Sequence, residues 1–356
     1  MPILAPPVHH LRFTVAICKT DPQNATEEET KDTKMSEPYP AADGLVRVYP
    51  AREPNGTGLV WAHGGAFAFG DIDMPESDWV ARQLSSRGTT VISVDYRRAP
   101  VPQGWSGRGE DAATPARPGH HYPAASDDML AAWSWTLDTA DRLRIDRDRL
   151  ALGGTSAGGN LAAGATLRLI ERRAARLPAL VILAYPTLLA VQPAPDAALR
   201  ALLDANPEAD RFGPDVVRGM YENYLGGPVE HAPLGAVPGL ARPVDLVQFP
   251  PTLMVNGEAD ELRVSGEAFA ATLRAAGRPI EVVTEPGTEH GHLNRPHEAA
   301  ASVSIDRLAA RLASLKSPSP APQSLSAPTS PRASQNQTAE QEPLPLRSHK
   351  TPAAPA

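Results

Sequence analysis

The stretch LALGGTSAGGNLAAG, residues 150–164, places five glycines around one serine, Ser156. An apolar run precedes the serine and a helix-forming run follows it, so the segment is predicted to form a strand, a tight turn and a helix. Glycines around such a turn avoid side chains that would collide with the neighbouring backbone. Gly154–Gly158 fits G-x-S-x-G, the pattern of a turn that exposes a nucleophilic serine. A P-loop is ruled out because no lysine follows the glycines, and a plain glycine-rich joint is the alternative.

On both sides of this turn, short apolar runs alternate with longer helical patterns. The predicted strands are Leu45–Tyr49, Gly58–Trp61, Val91–Tyr96, Leu150–Leu152, Leu180–Ala184, Thr252–Val255 and Ile280–Val283. The predicted helices are Ser77–Ser86, Ser126–Leu137, Ala157–Glu171, Ser265–Ala276 and Ala299–Lys316. This alternation predicts an α/β fold with a mostly parallel central sheet flanked by helices on both faces.

Residues 187–249 interrupt the alternation and are predicted to form a helical lid insertion over one edge of the sheet. They contain many prolines and one amphipathic helix, Pro214–Leu225. Its apolar stripe is interpreted as packing against the sheet domain, with lining of a substrate pocket as the alternative. The stripe consists of Val217, Met220, Tyr221, Tyr224 and Leu225.

The domain organisation follows from changes in composition. Residues 1–44 are poorly patterned, and 45–316 carry the α/β pattern. Residues 317–356 contain nine prolines and few bulky apolar residues, and are predicted to be disordered because they cannot bury enough surface to offset their ordering entropy. A proline-rich docking tail is the alternative.

Composition excludes several classes of protein. The 356 residues carry a net charge of −7, whereas a nucleic-acid binder would show a basic stripe. No apolar run approaches the ~18–20 residues of a transmembrane helix. One cysteine, Cys18, and the lack of a recognisable secretory signal predict a cytoplasmic protein. The oligomeric state stays open, with a homodimer among the options.

Functional residues are expected in the loops after the strands, since sites in open parallel sheets form at the carboxyl ends of the strands. His63-Gly64-Gly65-Ala66 follows one strand. Its glycines allow backbone N–H groups to approach a substrate oxyanion, although a plain glycine turn is the alternative.

A carboxylate and a histidine, each after a later strand, would complete a serine hydrolase. The loop after Thr252–Val255 offers Glu258, Asp260 and Glu261. The loop after Ile280–Val283 offers His290 and His292. The residues by themselves leave the choice within each loop open.

Taken together, these motifs resemble the hormone-sensitive-lipase-like esterases, bacterial family IV of the α/β-hydrolase superfamily. The resemblance covers roughly residues 45–316, and Thr155 places the chain in the GTSAG subgroup. The matching segments are HGGAFAFGD (63–71), VISVDYRRAP (91–100), YPAASDD (122–128), GTSAGGNLAA (154–163), GEADELR (257–263) and EHGHL (289–293).

The resemblance implies that Ser156 is the nucleophile, His290 the general base and Asp260 the residue that orients the histidine. It implies an oxyanion hole formed by the N–H groups of Gly64, Gly65 and Ala157. Neither a cofactor nor a metal is expected. A metal site at His290 and His292 is disfavoured because no third ligand accompanies the pair.

The implied function is hydrolysis of small carboxylic esters, with a preference for short acyl groups. An amidase or aryl-formamidase on the same triad is the alternative among enzymes, and a non-catalytic ligand-binding protein is the alternative from another class. The chain departs from the family at Ala66, which replaces a glycine, and at Glu261, which replaces a proline. It also carries an insertion at 101–121, interpreted as a surface loop or, alternatively, as a partial lid around Trp105.

Overall fold

A computed structural model describes residues 37–105 and 116–316 of the chain. Three expectations therefore lie wholly or partly outside the described residues: the N-terminal segment as far as residue 36, the centre of the 101–121 insertion and the disordered tail after 316. Among the described residues, no helix has the length and apolar character needed to cross a membrane.

The centre of the fold is an eight-stranded sheet in the order β1-β2-β4-β3-β5-β6-β7-β8. β2 pairs antiparallel with both β1 and β4, and all the other neighbouring strands pair in parallel. This arrangement confirms the predicted mostly parallel sheet. The strands are β1 Tyr39–Ala41, β2 Val46–Tyr49, β3 Thr57–Ala62, β4 Thr89–Val94, β5 Leu150–Thr155, β6 Leu180–Ala184, β7 Thr252–Ala259 and β8 Ile280–Glu289. β1 is an addition to the predicted set, in a segment that the sequence pattern left unassigned.

Helices cover both faces of the sheet. They are α1 Asp78–Ser85, α2 Ala124–Thr139, α3 Ser156–Glu171, α4 Ala197–Ala205, α5 Pro214–Leu225, α6 Arg263–Ala275 and α7 Ala299–Ala313. α2, α3 and α6 pack on the face that carries Val60 and Leu152. α1 and α7 pack on the opposite face against Leu59 and Trp61. Because both faces are covered, the central strands β3, β4, β5 and β6 are buried at every position rather than at alternate ones.

The insertion at 187–249 contains the predicted helix Pro214–Leu225 with the same bounds. A proline begins this helix, and Gly226 ends it in the left-handed conformation (φ +73°) that favours glycine. The insertion also contains α4, which the sequence analysis missed. The Asp196 carboxylate caps α4 by accepting a hydrogen bond from the Leu199 N–H at 2.8 Å.

Candidate active site

Ser156 lies at the junction of β5 and α3, at the carboxyl edge of the sheet. Its φ of +50° is a left-handed conformation that costs free energy for a residue with a side chain. The turn is too tight for side chains nearby: a Cβ on Gly158 would lie 2.2 Å from the Ala62 carbonyl oxygen. One on Gly154 would lie 2.5 Å from the Gly158 backbone. The glycines around the serine are therefore required by the turn itself.

Ser156, His290 and Asp260 form one hydrogen-bonded chain. The Ser156 Oγ lies 3.0 Å from His290 Nε2, and His290 Nδ1 lies 2.8 Å from Asp260 Oδ2. Asp260 is fully buried, and its Oδ1 accepts a hydrogen bond from the Leu262 N–H at 2.9 Å. Ser156 directly follows β5, Asp260 directly follows β7 and His290 directly follows β8. Both carboxylate oxygens of Asp260 are therefore engaged, which fixes its orientation toward the imidazole.

The alternatives in the same two loops have other partners. Glu258 accepts a hydrogen bond from the Gly287 N–H at 2.8 Å. Glu261 accepts one from the Phe212 N–H. His292 is buried, with its Nε2 2.8 Å from Ser304 Oγ. The structure thus brings Asp260 and His290 to the serine, and none of these three.

The turn after β3 presents its backbone to the cleft beside Ser156. Gly65 has φ +107°, and a Cβ there would lie 2.2 Å from the Phe69 carbonyl oxygen, so only glycine fits. Ala66 follows in a left-handed conformation with φ +52°. Both residues line the cleft. Ala66 stands where the family has its third glycine, and as an alanine it is conformationally strained in this position.

The expectation for Gly64 needs correction. Its N–H donates to Glu76 Oε1 at 2.6 Å and so is already engaged. Across the described parts of the chain, no hydrogen bond occupies the N–H groups of Gly65, Ala66 or Ala157. Ala157 lies in the first turn of α3, where helix N–H groups lack intrahelical partners.

Glu76 is a residue of the cleft that the sequence analysis missed. It is 2 % exposed, and its carboxylate accepts hydrogen bonds from Gly64 and from the Tyr185 hydroxyl, the latter at 2.9 Å. Burial raises the pKa of Glu76, while these two hydrogen bonds act in the opposite direction. The segment IDMPESD (72–78) is polar and resembles a surface loop, so its sequence carries no signal for a buried carboxylate.

The cleft around Ser156 and His290 has a volume of about 990 Å³. Trp105, from the 101–121 insertion, and Gly219 and Met220, from α5, all line it. On the other side of α5, Val217, Tyr221 and Tyr224 belong to the buried core. The apolar stripe therefore packs against the sheet domain for most of its length and contributes Met220 to the cleft.

No group of three or more His, Cys, Asp or Glu side chains suited to a metal ion occurs among residues 37–105 and 116–316. The imidazole of His290 is engaged on both nitrogens by Ser156 and Asp260. Phe212 and Tyr185 pack edge-on against this ring, with centroid distances of 4.7 and 5.1 Å. These contacts hold the imidazole plane between the serine and the carboxylate.

Comparison with known proteins places the chain in a family. The family model described as alpha/beta hydrolase fold matches residues 59–103 and 115–294. The carboxylesterase NlhH of Mycobacterium tuberculosis is 32% identical over 263 residues, which cover 71% of this chain and 73% of that protein. The ethyl acetate hydrolase of Pseudomonas putida is 30% identical over 256 residues, covering 69% and 70%.

A solved structure agrees with these relatives. That of EstE1, a thermophilic carboxylesterase cloned from a metagenomic library, matches with a TM-score of 0.62 and 29% identity. The match covers 82% of this chain and 95% of that one. The names of these relatives and of the solved structure thus agree with the ester hydrolase that the motifs predicted. The chain belongs to the hormone-sensitive-lipase-like carboxylesterases, bacterial family IV of the α/β-hydrolase superfamily.

Proposed function

We propose that the chain hydrolyses carboxylic esters through a Ser156–His290–Asp260 triad and an acyl-serine intermediate. The observation that carries the proposal is the unbroken hydrogen-bonded chain, 3.0 Å from Ser156 Oγ to His290 Nε2 and 2.8 Å from His290 Nδ1 to Asp260 Oδ2. A nucleophile, a base within reach of it and a third group that orients the base are what nucleophilic catalysis requires.

In the acylation step, Ser156 Oγ attacks the ester carbonyl carbon while His290 Nε2 takes the hydroxyl proton. The tetrahedral intermediate collapses as the C–O bond to the alcohol breaks, and His290 returns the proton to the leaving alcohol. Water then attacks the acyl-serine by the same route and releases the acid. Asp260 keeps the proton of the neutral imidazole on Nδ1, so that Nε2 is free to accept.

We assign the stabilisation of the oxyanion to the N–H groups of Gly65, Ala66 and Ala157. Gly65 and Ala157 are retained from the sequence prediction. Ala66 replaces Gly64 because the Gly64 N–H is committed to Glu76. Backbone donors of this kind stabilise the developing charge because they are fixed in place before the reaction.

A short acyl group is the proposed preference. The name of the Pseudomonas putida relative specifies ethyl acetate, an ester with a two-carbon acyl group. An amide substrate is the second candidate, since the same triad can protonate an amine leaving group. Thr155 assigns the chain to the GTSAG subgroup, and the single cysteine favours the cytoplasm as its compartment.

The test is a series of p-nitrophenyl esters of increasing acyl length, assayed beside the matching anilides, with wild type and Ser156→Ala. We expect the highest kcat/KM on short esters and a loss of about 10⁵–10⁶ in kcat on serine replacement. Far-ultraviolet circular dichroism serves as the control for folding. Retention of a tenth of the activity by the alanine variant would contradict the triad, and faster turnover of anilides than of esters would contradict the ester assignment.

A further inference from the structure

One buried carboxylate near the triad has no part in the mechanism above. Glu76 lies between the turn after β3 and the start of α1, and it lines the same cleft as Ser156 and His290. A Cβ added to Gly64 would lie 2.6 Å from Glu76 Oε1 and 3.0 Å from Ser156 Cβ, so these groups are closely packed. A carboxylate this close to the nucleophile calls for a physical explanation, because burying it costs free energy.

The Glu76 side chain accepts hydrogen bonds from two residues that lie beside catalytic groups. Its Oε1 accepts from the N–H of Gly64, the residue that precedes Gly65 and Ala66. Its Oε2 accepts from the Tyr185 hydroxyl, and the Tyr185 ring packs edge-on against the His290 imidazole at 5.1 Å.

The backbone of Glu76 adds two further connections. Its N–H donates to the Asn294 Oδ1 at 3.1 Å, in the short helix that follows His290. Its carbonyl accepts from the Trp61 indole N–H at 2.8 Å, on β3 just before the turn. The backbone of Glu76 is thereby tied to β3 and to the segment that follows His290.

We propose that Glu76 is a positioning residue that fixes the Gly65–Ala66 oxyanion donors and the His290 imidazole relative to each other. The inference rests on the proposed function, because it concerns the same reaction. The groups that donate to the Glu76 carboxylate are neutral, and no salt bridge within 4.0 Å involves it among the described residues. We therefore assign Glu76 a part in hydrogen-bonding geometry, and the charge of His290 acts on its carboxylate as a separate electrostatic contribution.

This role requires a side chain at position 76 that can form hydrogen bonds with Gly64 and the Tyr185 hydroxyl at the same time. A carboxamide at position 76 can reproduce both bonds, since its oxygen can accept from Gly64 and its NH₂ can donate to the Tyr185 hydroxyl oxygen. An aspartate keeps the acid but is one methylene too short to reach both partners. A leucine has a similar volume but offers no acceptor. The three replacements therefore separate geometry from charge and from volume.

The experiment compares Glu76→Gln, Glu76→Asp and Glu76→Leu in the full-length enzyme on p-nitrophenyl acetate. We expect the aspartate and leucine variants to lose about 100-fold in kcat, the scale of one displaced oxyanion donor, with KM nearly unchanged. We expect the glutamine variant to stay within about tenfold of wild type. A trifluoromethyl ketone, which forms a tetrahedral oxyanion on the serine, should lose affinity in parallel with kcat.

Glu285→Leu is the matched control, since Glu285 is also buried, at 3 % exposure, but pairs with Arg307 and does not line the cleft. It should lower Tm without lowering kcat. Wild-type kcat in Glu76→Asp would overturn the inference, and so would a glutamine variant as slow as the leucine variant. If the leucine variant does not fold, the aspartate and glutamine pair still decides the question. Ser156→Ala tests the triad independently, so failure of one proposal is distinguishable from failure of the other.

Discussion

Replacing Asp260 by asparagine should change which nitrogen of His290 carries the proton. Asp260 Oδ1 accepts from the Leu262 N–H at 2.9 Å, and this bond requires an oxygen at that position. The new amide nitrogen must then take the place of Oδ2, 2.8 Å from His290 Nδ1. As a donor, it would move the imidazole proton to Nε2, the nitrogen that faces Ser156 Oγ at 3.0 Å. A protonated Nε2 cannot accept the hydroxyl proton.

The expected cost follows from that tautomer. Loss of orientation by the triad carboxylate lowers kcat by about 10⁴ in serine hydrolases, which corresponds to about 5.5 kcal/mol of transition-state stabilisation. KM should change little, because Asp260 is fully buried and does not line the cleft. Folding should be preserved, because asparagine has the same shape and retains the hydrogen bond from Leu262.

The assay measures kcat and KM on p-nitrophenyl acetate at neutral pH, with Tm measured on the same preparation. Glu258→Gln is the matched control from the same loop, since Glu258 accepts its hydrogen bond from Gly287 rather than from His290. We expect that variant to keep kcat within about threefold of wild type. A loss of less than tenfold in Asp260→Asn, or an equal loss in the control, would refute the assignment of the carboxylate.

Four further predictions concern other parts of the chain. Ala66→Gly should raise Tm by up to about 3 °C, because glycine tolerates the left-handed φ of +52°, and an unchanged or lower Tm in a melting experiment would count against strain at this site. Gly219→Val should raise KM several-fold for bulky esters but not for acetates, because its Cβ would lie 3.9 Å from the Trp105 ring and the added side chain would narrow the cleft. The same change in KM for every member of an ester series would argue against this prediction. Truncation after Lys316 should leave kcat, KM and Tm unchanged, whereas a fall of several degrees in Tm would show that the tail contacts the folded domain. The free energy of unfolding should fall as the pH drops from about 6.5 toward 4, because burial lowers the pKa of both His63 and His292 to about 4. In this range the unfolded chain binds protons at these histidines and the folded chain does not. Denaturant titrations that show no change in the free energy of unfolding over this range would contradict the prediction.

Hydropathy patterns were sufficient to predict most of the fold. The strand Leu180–Ala184 and the helix Pro214–Leu225 have the bounds that the sequence predicted. The strand is an unbroken apolar run, and the helix begins with a proline and ends before a glycine. β7 extends to Ala259, beyond the predicted Val255, because its last residues also pair with β8. The apolar pattern missed this extension because it ends before Asn256.

Short elements were harder to predict, because they offer too few residues for a periodic pattern. β1 has three residues, and α4 has nine. The start of α4 did carry a signal, an N-capping Asp196 followed by buried Leu199 and Leu203 one turn apart. Similarly, the choice of Asp260 over Glu258 came from family resemblance, since both are carboxylates in one loop and only folding shows which one faces His290.

The meeting of the proposed catalytic residues at one edge of the sheet was predictable, because each one follows a strand and parallel strands end at the same edge. The hydrogen bond between Gly64 and Glu76 was not, because it joins two residues whose sequence context indicates a turn and a surface loop. The residues of the proposed triad are fixed by the sheet, whereas Trp105 and Gly219, which face each other in the cleft, come from the two insertions. Changes at Ser156, His290, Asp260 or Glu76 should therefore act on kcat for every ester alike, and changes in the insertions should act on KM for particular esters. A substitution in either insertion that lowered kcat equally for all esters would show that this separation does not hold.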